Sequence, residues 1–186
     1  DECSNACAVP RWVFVTSGNG PKNNGNLGGI AGADAYCQGL ADVAMLPGTY
    51  KAWLADSDPN SAPAMRFGSE AFTGWYRLRT NPPTGVAEGW ADLTEANEDV
   101  PANYLRAAIS VDEKGMDIGD ANGWTNTQPD GTQTDATHTC TNWTVASAGI
   151  EGNTGRTLVG ILDAQWTNES LIKCSLGLRL FCVQTG

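Results

Sequence analysis

The residues with the clearest capacity for chemistry lie in Trp124-Thr125-Asn126-Thr127-Gln128-Pro129-Asp130-Gly131. Gln128 and Asp130 bracket a proline, whose ring fixes φ, so two oxygen-bearing side chains project from a rigid turn. Oxygen ligands of that sort suit Ca²⁺ and sugar hydroxyls. Nearby aromatics, Trp124 first, can stack on the apolar face of a sugar. The plain alternative is an ordinary proline turn.

Other chemistries find less to work with. A nucleophilic triad would have to use His138, the only histidine, which stands among threonines in Asp135-Ala136-Thr137-His138-Thr139. Its default role is that of a loop histidine. No pair of carboxylates is singled out for glycoside hydrolysis. Gly25-Asn26-Leu27-Gly28-Gly29-Ile30 has the wrong spacing for a dinucleotide loop and reads as a tight turn into a helix. Asp56-Ser57-Asp58-Pro59-Asn60-Ser61 begins like a calcium loop, but Ser61 stands where the required Gly belongs and Phe67 where the bidentate Glu belongs. Binding, not catalysis, is the expectation.

Six cysteines, Cys3, Cys7, Cys37, Cys140, Cys174 and Cys182, allow 15 pairings, and counting alone does not choose among them. With no C-x-x-C and a single histidine, zinc is a poor alternative. Structural disulfides are the default and point to a secreted or cell-surface, extracytoplasmic setting. Cys3 and Cys7 are close enough to pair locally.

The elements that must position these residues are legible in part. Residues 11–17 (RWVFVTS) are β-branched and aromatic and predict a strand. Ile30, Ala33, Cys37, Leu40, Ala41 and Ala44 fall on one face of a helix, which Pro47-Gly48 ends. That places Cys37 on the buried face, so its bridge is expected to cross the core. Residues 50–54 read as a second strand, and residues 74–78 and 86–87 as a hairpin around 81–85. Residues 89–93 read as a helical turn, and 109–111 as a short strand. From 117 to 155 the chain is mostly Gly, Asn, Thr and Asp, a long irregular region of the kind that is usually functional or disordered. Trp124 and Trp143 within it argue for order. Residues 157–162 and 178–183 read as closing strands, the last pairing with the first. The fold class expected is α+β, with one long helix, mixed antiparallel sheets and a long irregular loop region.

The chain has 186 residues, 41% hydrophobic, with 21 acidic against 11 basic residues and a net charge of −10. That length is enough for one domain with a real core. It divides into an N-terminal extension, 1–10, with a local Cys3–Cys7 bridge, and a single domain, 11–186. The acidity repels phosphate backbones and anionic lipids, so nucleic acid is not an expected partner. No apolar run approaches the roughly 20 residues of a membrane helix, so membrane insertion is not expected either. The chain starts at Asp1 without Met, as it would if a leader had been removed.

Four stretches give the chain a family likeness: residues 25–37, ending in Cys37; residues 47–54 (PGTYKAWL); residues 109–115 leading to Trp124; and the run from Cys140-Thr141-Asn142-Trp143 through Cys174 to Leu180-Phe181-Cys182. In this order they resemble the C-type-lectin-like fold, and within it the endostatin-like branch and its bacterial secreted relatives. The resemblance spans nearly the whole chain from Arg11. It implies the pairings Cys37–Cys182 and Cys140–Cys174. It also implies that the irregular region is the fold's ligand-binding loop region.

In sugar-binding members a QPD string supplies calcium ligands and favours galactose-like hydroxyls, and Gln128-Pro129-Asp130 is similar to it. The family's acidic residue before the cysteine is replaced by His138-Thr139, and its W-N-D by Trp166-Thr167-Asn168. The cage implied is therefore partial: Gln128, Asp130 and Asn168 as metal ligands, with Trp124 and Asn126 joining them as ligand-contacting residues. Asp135, Glu151 and Asp163 are candidate substitutes for the missing ligands. The N-terminal histidine zinc site and arginine-rich heparin face of endostatin are absent, so heparin is not an expected partner. The implied function is an extracellular recognition or adhesion module binding a glycan or surface glycoprotein, with Ca²⁺ as candidate cofactor. The alternative is a metal-independent protein-binding or structural tip module of a surface assembly. Asn142-Trp143-Thr144 and Asn168-Glu169-Ser170 are glycosylation sequons, relevant only in a eukaryotic source.

Overall fold

The computed structural model describes residues 8–22, 24–69, 71–94, 105–158 and 164–186. The local Cys3–Cys7 bridge, the first seven residues of the extension and Asp163 lie outside them. Strand β1 (Arg11–Val15) leads through a loop to helix α1 (Gly29–Val43) and strand β2 (Tyr50–Ala52). A short helix α2 (Pro63–Arg66) precedes the hairpin β3 (Trp75–Leu78) and β4 (Thr84–Glu88), which runs into helix α3 (Gly89–Leu93). Strands β5 (Asn122–Trp124), β6 (Glu151–Arg156), β7 (Ser170–Lys173) and β8 (Arg179–Gln184) follow, and short helical turns stand at Pro59–Ser61, Cys140–Trp143 and Ala164–Trp166.

The result is a mixed α and β architecture around one curled sheet, compatible with an α+β class. Its strand order is β4-β3-β1-β8-β5-β6-β7, and β2 also pairs with β8. β8 is the hub. It runs antiparallel to β1, with Val13 opposite Val183 and Phe14 opposite Cys182, antiparallel to β2, and parallel to β5. Side chains alternate across a strand, and in β1 and β8 both faces are buried. Val13, Val15, Phe181 and Val183 enter one core with Trp53, Trp90 and Trp166. Phe14, Leu180 and Cys182 enter the other, with Ala33, Cys37 and Ala41 of α1 and with Trp124 and Trp143. That double burial explains why the residues of β1 and β8 read as near-continuous apolar runs.

Among the described residues two disulfides close the fold, Cys37–Cys182 and Cys140–Cys174, each with Cα atoms 5.6 Å apart. These are the pairs that the lectin-like resemblance implies. They span 145 and 34 residues of sequence, and the chain-entropy relation gives about 5 and about 4 kcal/mol for loops of that size.

The structure departs from the sequence reading in the second half. Residues 109–111 form no strand; Val111 makes a single bridge to Asp117. Thr157 and Leu158 lie in a turn, and 159–163 are outside the described residues. The region 117–155, read as irregular, contains β5 and most of β6. Gly123, Gly152 and Gly155 are packing positions here. A Cβ on Gly152 would stand 2.7 Å from Cys140 Sγ and 2.9 Å from the Trp124 ring; one on Gly155 would stand 2.0 Å from the Trp166 carbonyl oxygen. A glycine can mark a strand approached closely by its neighbours as well as a loop.

Candidate functional site

The QPD segment is held from below by buried polar groups. Trp124 and Asn126 are both fully buried. The Trp124 ring lies tilted on Trp143, with centroids 5.6 Å apart. The Trp143 indole N–H donates to the Ala55 carbonyl at 2.8 Å. Asn126, at φ 54°, donates from Nδ2 to the Asp135 carbonyl at 2.8 Å, and its own carbonyl accepts from Thr134 N at 3.0 Å. These two residues thus set the loop's path and present little surface to a ligand.

A ladder of threonines then fixes the loop against the segment that follows Trp166. Thr125 Oγ1 donates to the Thr167 carbonyl at 2.6 Å, Thr127 and Thr167 share a hydroxyl contact, and the Trp53 indole N–H donates to Thr167 Oγ1 at 2.7 Å. Each of these threonines is buried, so each hydroxyl must find a partner, and together they lock the register of the two segments. Gln128 and Asn168 consequently face each other across the ladder: Asn168 Nδ2 donates to Gln128 Oε1 at 3.2 Å. Residues 128–131 form a turn with Pro129 second, closed by Gly131 N–H on the Gln128 carbonyl at 3.0 Å. The exposed Asp130 folds back, its Oδ1 accepting from Thr132 N at 2.8 Å and Thr132 Oγ1 at 2.6 Å.

Among the residues expected from the sequence, the structure therefore joins Gln128 to Asn168, leaves Asp130 on the same turn with Oδ1 turned back on Thr132, and buries Trp124 and Asn126 beneath. It also adds residues that sequence reasoning missed. Asn153, on β6 and almost fully buried, donates from Nδ2 to Asn168 Oδ1 at 3.3 Å. With the amides oriented as this series requires, Asn153 Oδ1 is a buried acceptor without a hydrogen-bond partner. A buried carbonyl in that condition favours an occupant that can supply a proton or a positive charge.

Beside it, Asn122 Nδ2 donates to Glu169 Oε2 at 3.3 Å, and Arg156 lies between Asp120 (Nε to Oδ1, 2.7 Å) and Glu169 (3.9 Å). The hydrogen bond from Arg156 lowers the Asp120 pKa and raises that of Arg156. The only sequence signal for this patch is the proximity of Asn168, Glu169 and Ser170 in the chain; Asn122, Asn153 and Arg156 come to it through strand pairing of β5 with β6.

A second feature lies beyond Asn126. The loop continues through Asp135 to His138, where a cleft of about 330 Å³ is lined by Thr137, His138, Ala148, Gly149, Ile150 and Glu151. Asp135 holds His138 from outside the cleft: Oδ2 is 2.9 Å from His138 Nδ1, and Oδ1 accepts from His138 N at 2.7 Å, Thr137 N at 2.6 Å and Thr137 Oγ1 at 2.9 Å. Partial burial pushes the Asp135 pKa up, but these hydrogen bonds outweigh it and bring it down to about 2.

Directly after the cleft, residues 140–143 all have φ between 49° and 59°, a left-handed turn of four non-glycine residues. Such a turn costs roughly 1–2 kcal/mol per residue. It is held by the Cys140–Cys174 bridge, by burial of Trp143 and by Thr139 Oγ1, which accepts from Asn142 N at 3.1 Å.

Among the described residues no three His, Cys, Asp or Glu side chains gather as a metal cluster, and no helix is long and apolar enough to cross a membrane. No protein-family model matches the chain, and no curated protein matches it.

Proposed function

We propose that the chain is an extracytoplasmic recognition module that binds glycan hydroxyls on the face formed by Gln128, Asp130 and Asn168, with the buried Asn153 directly beneath it. The observation that carries this reading is the amide series Asn153–Asn168–Gln128, which ends in a buried unpartnered oxygen. Planar amide and carboxylate groups held rigid before the ligand arrives lose little entropy on binding, and so suit ligands whose individual hydroxyls bind weakly. Glu169, Asn122 and Arg156 extend the same kind of surface. Trp124 and Asn126 act beneath it as supports. Calcium enters the proposal as a bridging cation, with Gln128 Oε1, Asn168 Oδ1 and a carboxylate oxygen of Asp130 as protein ligands and sugar or water oxygens completing the shell.

The test is a broad glycan array read with and without calcium, together with calorimetric calcium titration of the metal-stripped protein and of Asp130→Ala. Glycan capture that falls in Asn168→Ala supports the reading; calcium binding lost in Asp130→Ala supports its calcium-dependent form. Absence of any captured glycan in both conditions would sink it.

One observation favours a second reading, a metal-independent protein-binding or structural module. Val43 and Met45, at the end of α1, are 77% and 87% exposed. Apolar side chains so exposed and so close in the chain suit a protein partner. Capture of a partner that survives chelation and fails with Met45→Glu would favour it.

A further inference from the structure

We propose that the cleft between His138 and Glu151 is a site for a divalent transition-metal ion of the zinc class, with His138 Nε2 and the Glu151 carboxylate as ligands and Asp135 as the residue that orients the imidazole. The site is separate from the amide face and uses a different donor set.

The argument begins with the tautomer. Asp135 is held as an anion by hydrogen bonds from Thr137 and His138, and its Oδ2 lies 2.9 Å from Nδ1 of the only imidazole in the chain. A carboxylate at that position requires the proton on Nδ1. The lone pair is then on Nε2, at the opposite edge of the ring. A carboxylate behind a histidine fixes the orientation of a metal-binding imidazole and raises its basicity. In a chain without a metal the same arrangement presets the ligand.

The second ligand follows from backbone pairing. Thr139 and Gly152 form an isolated antiparallel bridge, and Asn153 N donates to the His138 carbonyl at 2.9 Å. His138 and Glu151 flank this bridge as a diagonal pair on one face, and such pairs lie about 7–8 Å apart at the backbone, within reach of two long side chains that share one ion. Both line the same cleft. His138 is 39% exposed at its side chain and Glu151 is exposed, so an ion can enter without opening the fold.

Asp135 and Glu151 contribute two carboxylates, with the exposed Lys173 opposite Glu151 on β7 as the neighbouring cation, and the chain as a whole carries −10. The Cys140–Cys174 bridge ties the far end of the loop to the residue that follows β7, and the Thr139–Gly152 bridge holds the backbone carrying His138 against β6. An imidazole nitrogen paired with one carboxylate favours zinc, copper or nickel over calcium or magnesium, which prefer oxygen shells. Two protein ligands leave positions for water, so exchangeable binding is expected, unlike the closed four-ligand geometry of a structural zinc site.

A single histidine makes the test direct. In a ¹⁵N-labelled sample the ring gives one pair of nitrogen signals, which report the tautomer and any metal bond. The expected result is a proton on Nδ1 in the metal-free protein and a saturable shift of Nε2 on titration with zinc alone. His138→Gln should abolish zinc binding in parallel calorimetry. Glu151→Gln, at an exposed position where folding is not at stake, should weaken it about tenfold, and Asp135→Asn by a similar factor. Calcium should leave the ring signals in place, which keeps this result independent of the amide face. No Nε2 shift at millimolar zinc overturns the proposal. So does a Glu151→Gln protein with the parent affinity, since that is the behaviour of a lone surface imidazole.

Discussion

Arg66 and Asp34 meet in a two-pronged contact: Arg66 Nη1 lies 2.9 and 2.7 Å from the two carboxylate oxygens, with the side chains 14% and 25% exposed. The same carboxylate accepts from Ala52 N at 2.8 Å, and Arg66 also donates to the carbonyls of Ser61, Ala52 and Leu54. Helix α1, strand β2 and helix α2 are therefore tied at one point. Burial lowers the Arg66 pKa, and Asp34 opposes that shift.

Removing the anion should leave a largely buried guanidinium with only the weaker field of Asp56 to offset its charge. We expect Asp34→Ala to cost about 3 kcal/mol, read as a fall in the urea midpoint at unchanged m-value. The double variant Asp34→Leu/Arg66→Met should recover most of that loss, because an apolar pair removes the desolvation cost along with the attraction. Recovery of none of it would show that the carbonyl contacts of Arg66 carry the stability.

The His138 loop should weaken in acid. The Asp135 pKa is about 2 in the folded chain, against an ordinary value of 3.8. In that window the unfolded chain binds more protons, so stability rises with pH. The contribution of Asp135 is complete above about pH 4 and is lost as pH falls towards about 2. Unfolding free energy measured across this range should fall less steeply in Asp135→Asn than in the parent chain. Identical slopes would refute the assignment.

Gly155→Ala should be among the most damaging small substitutions in the sheet. The added carbon would have to occupy space 2.0 Å from the Trp166 carbonyl oxygen and 2.7 Å from Thr167 Cα. Backbone cannot yield as a flexible side chain does, so we expect a loss of about 2–4 kcal/mol. The displacement also reaches Asn168, so any ligand binding on the amide face should fall with it. Thermal unfolding checks the first part.

Thr141→Gly should stabilise the chain. Thr141 is exposed, β-branched and held at φ 55°, a conformation that glycine adopts without steric cost. Relief of the strain outweighs the extra freedom of the unfolded chain, for an expected net gain of about 1 kcal/mol. A lower denaturation midpoint would overturn this account of the turn.

Legibility in the sequence followed burial. β1, α1, β2, the β3–β4 hairpin, α3 and β8 carry apolar residues at the period of their own structure, and the positions read from that period match the observed ones within a few residues. β5 (Asn122-Gly123-Trp124) and β6 (Glu151 to Arg156, EGNTGR) carry almost none, because apart from Trp124 their buried positions are glycines, packed closely by neighbouring side chains and backbone, and the polar Asn153 and Thr154. Glycine has no hydropathy to report, so close packing there read as loop. β7 alternates half-buried and exposed residues at the sheet edge and left too weak a pattern to find.

The candidate site divides in the same way. Gln128 and Asp130 were visible because a proline lies between them, and Asn168 through resemblance. Asn153, Asn122 and Arg156 depend on strand register, and register across a long connection is a tertiary fact. His138 was visible as the sole imidazole, but its relation to Glu151 rests on one bridge between Thr139 and Gly152.

The placement of Cys37–Cys182 has a mechanical consequence. β1 and β8 are antiparallel neighbours, so tension applied ahead of Arg11 and beyond Gln184 pulls on the same end of their ladder and peels it open one bond pair at a time. Peeling along β8 meets Cys182 almost at once, and from there the load passes through the sulfur bridge to Cys37. The chain between those two cysteines then bears no force. It contains Gln128, His138, Asn153 and Asn168, so a chain tethered at both ends could be stretched while the proposed binding face stayed folded. Under reducing conditions that protection would vanish, and the whole domain would unravel along the line of pull.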